Sequence, residues 1–369
     1  MKPIGQMEPW IGEEERLAVD AYLASGGWLT EFKKTQELEG MLASYVGAKH
    51  CVITHSGTIA LALALMAMEI GQGDEVLVPD YTMIASANAV RLAGGTPVLV
   101  DIEPETLCMD LRLAERAITP RTKALMLVTL DGRAPNMEAF QRFCRQRGLS
   151  LLEDAAQSLG STQHGKHLGT FGLAGCYSFS MPKVITMGQG GAVVTDDDSL
   201  DRRLRLVKDF GRERAGVDSH IALGYNFKFT DLQAVVGIEQ MKKLPWRVTR
   251  KKKMYRQYQR LLEGLPEVEL VKTNDEVSPW FIDMLAPAQR RDALAAFLKE
   301  RGIGTRPFYP AIHTQAPYAG VSGAFPVSVG TSQRGLWLPS SSFLSDQDIE
   351  RVCTEIKAFF QAPTKAGAR

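Results

Sequence analysis

GCYSFSMPKVITMGQGGAVVTD, residues 175–196, is the stretch around which this chain is organised. A strand-like run, CYSF, is followed by a single lysine, Lys183. The cluster Gly188-Gln189-Gly190-Gly191 comes next, then a second apolar run, AVVT. Such a segment presents one lysine at one fixed point, because glycines let the backbone turn sharply or approach a ligand closely. A surface lysine in a hairpin would use the same residues, and the stretch alone does not separate the two. The rest of the chain does, by supplying what a Schiff-base lysine needs.

Working outward, residues 149–152 form a mostly apolar strand that runs into Glu153 and Asp154. Strand-like runs recur at 51–54, 75–79, 97–101 and 123–130. Helical apolar spacing recurs at 12–25, 31–45, 59–70, 84–93 and 137–147. Val- and Leu-rich strands alternating with helices predict an α/β fold, a mostly parallel sheet with helices on both faces. Ligands of such sheets bind beyond the carboxyl ends of the strands. Gly57, Asp154 and the loop after Thr82 should therefore share one edge. Downstream, helices are expected at 200–210, 231–241 and 247–260, with a loop at 211–222. Residues 247–260 hold seven Lys or Arg over an apolar stripe of Met254, Tyr258 and Leu262, which reads as a solvated face above a packed one. Strands at 280–285 and 305–309 and helices at 291–300 and 349–360 suggest a second, smaller α+β unit. We expect a large domain over 1–240, with an N-terminal helical arm, a small domain over 241–369, and a disordered tail from 362.

A length of 369 residues suits two domains. With 43 basic and 42 acidic residues the net charge is +1, so no global field favours nucleic acid or an anionic membrane. The longest apolar run, 59–68, is too short to span a bilayer, and the N-terminus carries no apolar signal core. Cys51, Cys108, Cys144, Cys176 and Cys353 are scattered and form no CxxC pair. That argues against a zinc site or a disulfide framework and for a reducing cytoplasm.

Two further segments carry chemistry. His55-Ser56-Gly57-Thr58 lies between a strand and an Ala/Leu-rich helix. A helix N-terminus offers free amides and partial positive charge to a phosphate, and Thr58 adds a hydroxyl; a plain N-cap by Ser56 or Thr58 would use the same residues. Asp154 follows an apolar strand and precedes Ala155-Ala156-Gln157-Ser158. It could cap a helix, or hold a cation such as the ring nitrogen of pyridoxal 5'-phosphate, whose protonated ring draws electrons from a substrate carbon. The order phosphate turn, aspartate, lysine suits such an enzyme.

On these motifs the chain resembles the pyridoxal-phosphate sugar aminotransferases, the DegT/DnrJ/EryC1/StrS family, over about residues 5–360. The resemblance is carried by Ser56-Gly57-Thr58, Gly73-Asp74-Glu75-Val76, residues 118–124 (ITPRTKA) and Glu153-Asp154-Ala155-Ala156-Gln157. Residues 178–183, 188–191, 224–233 and 306–313 extend it. It implies an aspartate-aminotransferase-like fold (fold type I) and a homodimer with shared active sites. Lys183 would be the catalytic lysine, bonded to the cofactor and later moving the proton. Asp154 would pair with the pyridine nitrogen, and Gln157 would lie near the ring oxygen. Ser178, Gly57 and Thr58 would hold the phosphate, with Asn226 reaching it from the neighbouring subunit. Met83 stands where an aromatic ring usually stacks on the cofactor, unless Tyr81 takes that place. His313, Tyr309 and Lys228 would contact substrate, Lys228 standing where an arginine is usual. Gln189 replaces a glutamate, and Thr129-Leu130-Asp131-Gly132 replaces His-Leu-Tyr-Gly. The expected reaction moves an amino group from glutamate to a nucleotide-linked keto sugar. The C-terminal half is most similar to enzymes that convert GDP-4-keto-6-deoxymannose to GDP-perosamine for surface polysaccharide (O-antigen). A UDP- or dTDP-keto sugar is the alternative, or a non-catalytic binding protein that keeps the fold.

Overall fold

The computed structural model describes residues 2–214 and 216–362, so the expected tail lies, from residue 363 on, outside the described residues. Two helices, α1 (Glu13–Ala24) and α2 (Lys33–Val46), precede β1 (His50–Thr54) and α3 (Gly57–Ala67). Strand and helix then alternate through β2 (Glu75–Pro79), α4 (Ala85–Leu92), β3 (Thr96–Val100), α5 (Leu111–Ala117), β4 (Thr122–Val128), α6 (Met137–Arg147) and β5 (Ser150–Asp154). A short hairpin, β6 (Thr162–Gln163) and β7 (Lys166–His167), leads to β8 (Ala174–Ser178), β9 (Gly191–Thr195) and α7 (Asp198–Lys208). After α8 (Asp231–Leu262) come β10 (Glu269–Leu270), β11 (Ile282–Leu285), α9 (Ala288–Glu300), β12 (Arg306–Pro307), α10 (Pro326–Arg334), β13 (Gly335–Leu338) and α11 (Asp346–Gln361).

The first sheet has seven strands in the order β1-β9-β8-β5-β4-β2-β3. Strand β9 runs antiparallel to both neighbours, and every other adjacent pair is parallel. This is the mostly parallel sheet expected from the strand–helix alternation. Its central strands are buried along their length because helices cover both faces. Helix α3 is built from Ala and Leu on all sides, and eight of its residues are buried. It packs against α4, α7, β8 and β9. The second sheet, β10-β11-β13-β12, is antiparallel and shares a core with Met254, Tyr258 and Leu262 of α8.

Three local expectations are corrected. Strand β4 stops at Val128, and Leu130–Gly132 forms a single 3-10 turn in which Asp131 adopts φ 49°. The turn is set by a distant partner, because the Asp131 N–H donates to Gln157 Oε1 at 2.8 Å. Helices 231–241 and 247–260 are one 32-residue helix that passes Pro245 and the expected boundary at residue 240. The proline removes one backbone bond, but α8 is held along its length by α1, α2 and α11. Third, the basic face of α8 is not wholly solvated. Arg247 and Lys251, one turn apart, are 2% and 0% exposed. Arg247 donates to Val184 O, Gln240 Oε1 and Trp10 O. The Lys251 ammonium donates to Trp280 O at 2.8 Å and to Ser340 O.

Candidate active site

Strand β5 ends at Asp154, β8 ends at Ser178, and α3 begins at Gly57, all at one edge of the large sheet. They surround a cavity of about 210 Å³. Larger clefts, of about 680 and 620 Å³, open elsewhere on the surface. Neither contains any of the site residues expected from sequence, so volume is a poor guide here. Of those residues, Gly57, Thr58, Met83, Asp154, Gln157, Ser178, Lys183 and Tyr309 line the smaller cavity.

One end of the cavity offers groups that could hold an anion. Ser56 caps α3, its Oγ accepting from Ile59 N–H at 3.3 Å. The N–H groups of Gly57 and Thr58 are left at the open helix end, where partial positive charge favours a phosphate. Thr58 and Ser178 bring hydroxyls to the same end of the cavity. Packing there is tight: a Cβ on Gly57 would sit 2.7 Å from Ser178 Cβ, and one on Gly191 would sit 2.3 Å from Ser56 O. Only glycine lets these backbones approach so closely.

At the other end Asp154 is 5% exposed. Its Oδ2 accepts from Ser86 Oγ at 2.7 Å and its Oδ1 from Ala156 N–H at 3.2 Å. Burial raises its proton affinity; Ser86, Ala156 and the charge of Lys183 oppose that. A buried carboxylate that, among the described residues, has no full ion pair is poised to take a cationic N–H. Gln157 accepts from Asp131 N–H, which fixes its side chain and leaves its NH₂ free to donate.

Between the two ends stands Lys183. The loop carrying it is closed by Phe179 N–H to Gly190 O at 2.8 Å and Met187 N–H to Phe179 O at 3.0 Å, with Gly188 at φ 76°. The Lys183 amine lies 3.7 Å from the centroid of the Trp280 ring. Burial brings this amine down to about 8; Asp154 and Asp131 pull the other way, and Arg306 adds to the lowering. An amine near neutrality can give and take a proton at physiological pH.

Three residues expected at the site lie outside this chain's own cavity. Asn226 pairs in a β-bridge with Asp209. Lys228 donates to Asp209 Oδ1 at 2.7 Å and covers the Phe210 ring, so its charge is already satisfied. The His313 ring meets Asp80 Oδ2 at 2.7 Å and stacks on Phe325, which makes it a loop anchor. Tyr81 does not replace the missing aromatic stack: it is 1% exposed and packs against Phe308 in the core, whereas Met83 lines the cavity. Ser86 and Trp280 belong to the site but were not singled out from sequence, and Ser180 and Arg306 lay inside motifs quoted for the resemblance without a role. Ser86 and Trp280 enter from elements distant in the chain, and no local pattern marks them.

A helix end with free amides, a near-neutral amine and a buried carboxylate, arranged along one cavity, fit pyridoxal phosphate. The comparisons with known proteins agree. The family model described as the DegT/DnrJ/EryC1/StrS aminotransferase family matches residues 9–357. DesV of S. venezuelae is 33% identical, covers 94% of each chain, and superposes with a TM-score of 0.89. DesI, solved in the presence of its TDP-sugar product, is 30% identical over 97% of this chain and 93% of its own, with a TM-score of 0.90. PseC of Helicobacter pylori, an aminotransferase involved in the biosynthesis of pseudoaminic acid, is 26% identical over 97% and 99%, with a TM-score of 0.92. Among the described residues no helix is long and apolar enough to cross a membrane. With a family match over nearly its whole length and a cavity that fits the cofactor, this chain belongs to the DegT/DnrJ/EryC1/StrS family of pyridoxal-phosphate-dependent sugar aminotransferases.

Proposed function

We propose that this aminotransferase carries an amino group from glutamate to GDP-4-keto-6-deoxymannose, making GDP-perosamine for surface polysaccharide (O-antigen), in the cytoplasm. The observation that carries the chemistry is Lys183, a near-neutral amine set between Asp154 and the Trp280 face. Bound pyridoxal phosphate supplies an electron sink, which lets the carbon bearing the amine lose and regain a proton. Lys183 holds and moves that proton. Asp154, its geometry fixed by Ser86, would hold the ring nitrogen and favour its protonated form. The NH₂ of Gln157 would donate to the ring oxygen. Gly57, Thr58 and Ser178 bind the phosphate, and Met83 packs its thioether where an aromatic ring would stack. Tyr309 lines the substrate side, and the His313–Asp80 contact fixes the loop that bears it.

Asn226 and Lys228 serve the cavity of a second copy in a homodimer. The support is their position outside this chain's cavity, beside Ile221 and Leu223, which are 62% and 78% exposed. Of the described residues, those up to 240 form the large lobe and those from 241 the small one, with α8 passing from one to the other. The GDP-sugar assignment rests on the similarity of residues 306–318 to enzymes that make perosamine. DesI with its TDP-sugar product favours a dTDP-keto sugar as the second reading.

The test has two steps. Borohydride reduction of the cofactor-loaded protein, followed by peptide mapping, should tag Lys183; a tag on another lysine overturns that assignment. Glutamate should bleach the visible cofactor band at ~410–430 nm, and a keto sugar should restore it. Restoration by GDP-4-keto-6-deoxymannose is expected. Restoration by a UDP- or dTDP-keto sugar alone overturns the GDP assignment.

A further inference from the structure

Trp280 lies just before β11, in the half of the chain that forms the smaller sheet, yet its ring reaches the cavity of the large sheet. The residue is 2% exposed. Its indole N–H and its carbonyl are both committed. The indole Nε1–H donates to Pro182 O at 2.7 Å, one residue before Lys183. Its carbonyl accepts from the Lys251 amine at 2.8 Å. Its ring stacks on Phe281 at 3.9 Å, and the Phe281 N–H donates to Asp131 Oδ1 at 3.3 Å. Lys251 also donates to Ser340 O, and Ser340 Oγ accepts from Ile282 N–H at 3.0 Å. The backbone from Trp280 to Ile282 is thus tied to α8, to the turn at Asp131 and to the loop after β13. The remaining face of the indole is covered by the Lys183 amine, 3.7 Å from the ring centroid.

We infer that Trp280 is a positioning residue for Lys183: its indole face seats the lysine amine whenever the amine is unbonded, and Lys251 holds that face in place from behind. The physical basis is the negative face of the indole ring, which attracts an ammonium group most strongly where water is excluded. The groups that face Lys183 from the surrounding elements are Asp154 from β5, Asp131 from the turn after β4, and Arg306 from β12. The first two favour the charged amine, and Arg306 opposes it. Trp280 adds a directional attraction to these, and so defines where the amine rests. The inference rests on Lys183 as the cofactor lysine, but its test reads the apoprotein and does not depend on turnover.

The experiment replaces Trp280 alone, in the full-length protein freed of cofactor, by mono-, di- and tetrafluorinated tryptophan. Fluorination drains the ring face while nearly keeping its shape, so water access to the amine stays the same. The pH midpoint for modification of Lys183 by an amine-directed reagent is then read by peptide mass. We expect a stepwise fall, reaching about 1 pH unit in the tetrafluorinated protein, from the usual strength of a desolvated cation–π contact. A midpoint that does not move across the series overturns the seat. Lys251→Met tests the clamp. Once the ring is released, the fluorine dependence of the midpoint should disappear. A Lys251 that did not hold the ring would instead leave the fluorine dependence of the Lys183 midpoint intact, and that result would overturn the role of Lys251. A borohydride tag on another lysine would sink the catalytic reading yet leave these titrations interpretable.

Discussion

Lys251→Met should abolish an alkaline rise in the stability of this protein. The wild-type amine is fully buried, and burial, with Arg247 adding to it and Asp131 opposing, brings it from 10.5 down to about 7. Its two hydrogen-bond partners are the carbonyls of Trp280 and Ser340. A neutral amine has two N–H groups, so deprotonation gives up neither bond. The sign follows from linkage. Between pH 7 and 10.5 the unfolded chain holds a proton on this lysine that the folded chain has released, so the unfolded state binds more protons and stability rises with pH. A gap of about 3.5 pH units corresponds to ~5 kcal/mol across the window. Methionine has similar length and no titratable group, so it removes the term without opening a large cavity. Urea unfolding of both proteins from pH 6.5 to 10 gives two curves, and subtraction cancels every other titrating group. The difference should climb in favour of wild type by ~3–5 kcal/mol. A difference that stays flat to within ~1 kcal/mol would refute the buried-amine argument.

Three other outcomes follow from the same geometry. Lys183→Ala should lower amino transfer more than ~1,000-fold through loss of the proton carrier, with an unchanged urea midpoint; wild-type turnover would sink the assignment. Gly57→Ala should weaken pyridoxal phosphate binding by ~10-fold or more with little loss of stability in the apoprotein, because its Cβ would press on Ser178 at the anion cradle; equilibrium dialysis measures this, and unchanged affinity counts against the cradle. Asp231→Ala should destabilise the fold by ~2–4 kcal/mol, since Asp231 accepts from Phe32 N, Lys34 N, Thr35 N and Thr35 Oγ1. Those bonds hold the Asp231 carboxyl below its ordinary value against the burial that raises it. The wild-type advantage should therefore persist above the unfolded value of ~4 and fade as pH falls through the folded value; an advantage that grows on acidification would contradict this.

Much of the large sheet was legible because its strands are short Val- and Leu-rich runs between helices, a pattern that local periodicity carries. Segment β2 at 75–79 and α6 at 137–147 match their expected bounds for that reason. The turn at Ser56–Thr58 and Asp154 were legible because each sits at the end of a strand or helix, and Lys183 because a lone lysine stands between two strand-like runs ahead of a glycine cluster. Helix α5 was overlooked although Asp110 caps it, accepting from Arg112 and Leu113 N–H; that signal was present. The cap of α2 was not readable locally, since Phe32 offers no side-chain oxygen and Asp231 supplies the carboxylate from across the fold. Likewise, the run 247–260 looks like a solvated basic face, and nothing in its composition distinguishes Lys251 from Lys252 or Lys253. Helical phase decides between them: Lys251 faces the core in line with Met254, Tyr258 and Leu262, and carbonyls from two loops meet it there. Local sequence carried the strand–helix alternation, the family resemblance and the three chemical groups, since each depends on residues close together in the chain; the strand order and the antiparallel β9 came from long-range pairing. Tertiary structure alone decided that Ser86 bonds to Asp154, that Trp280 seats Lys183, and that Asn226, Lys228 and His313 stand outside the cavity. Such contacts join residues far apart in the chain, and only the packed fold sets their distances.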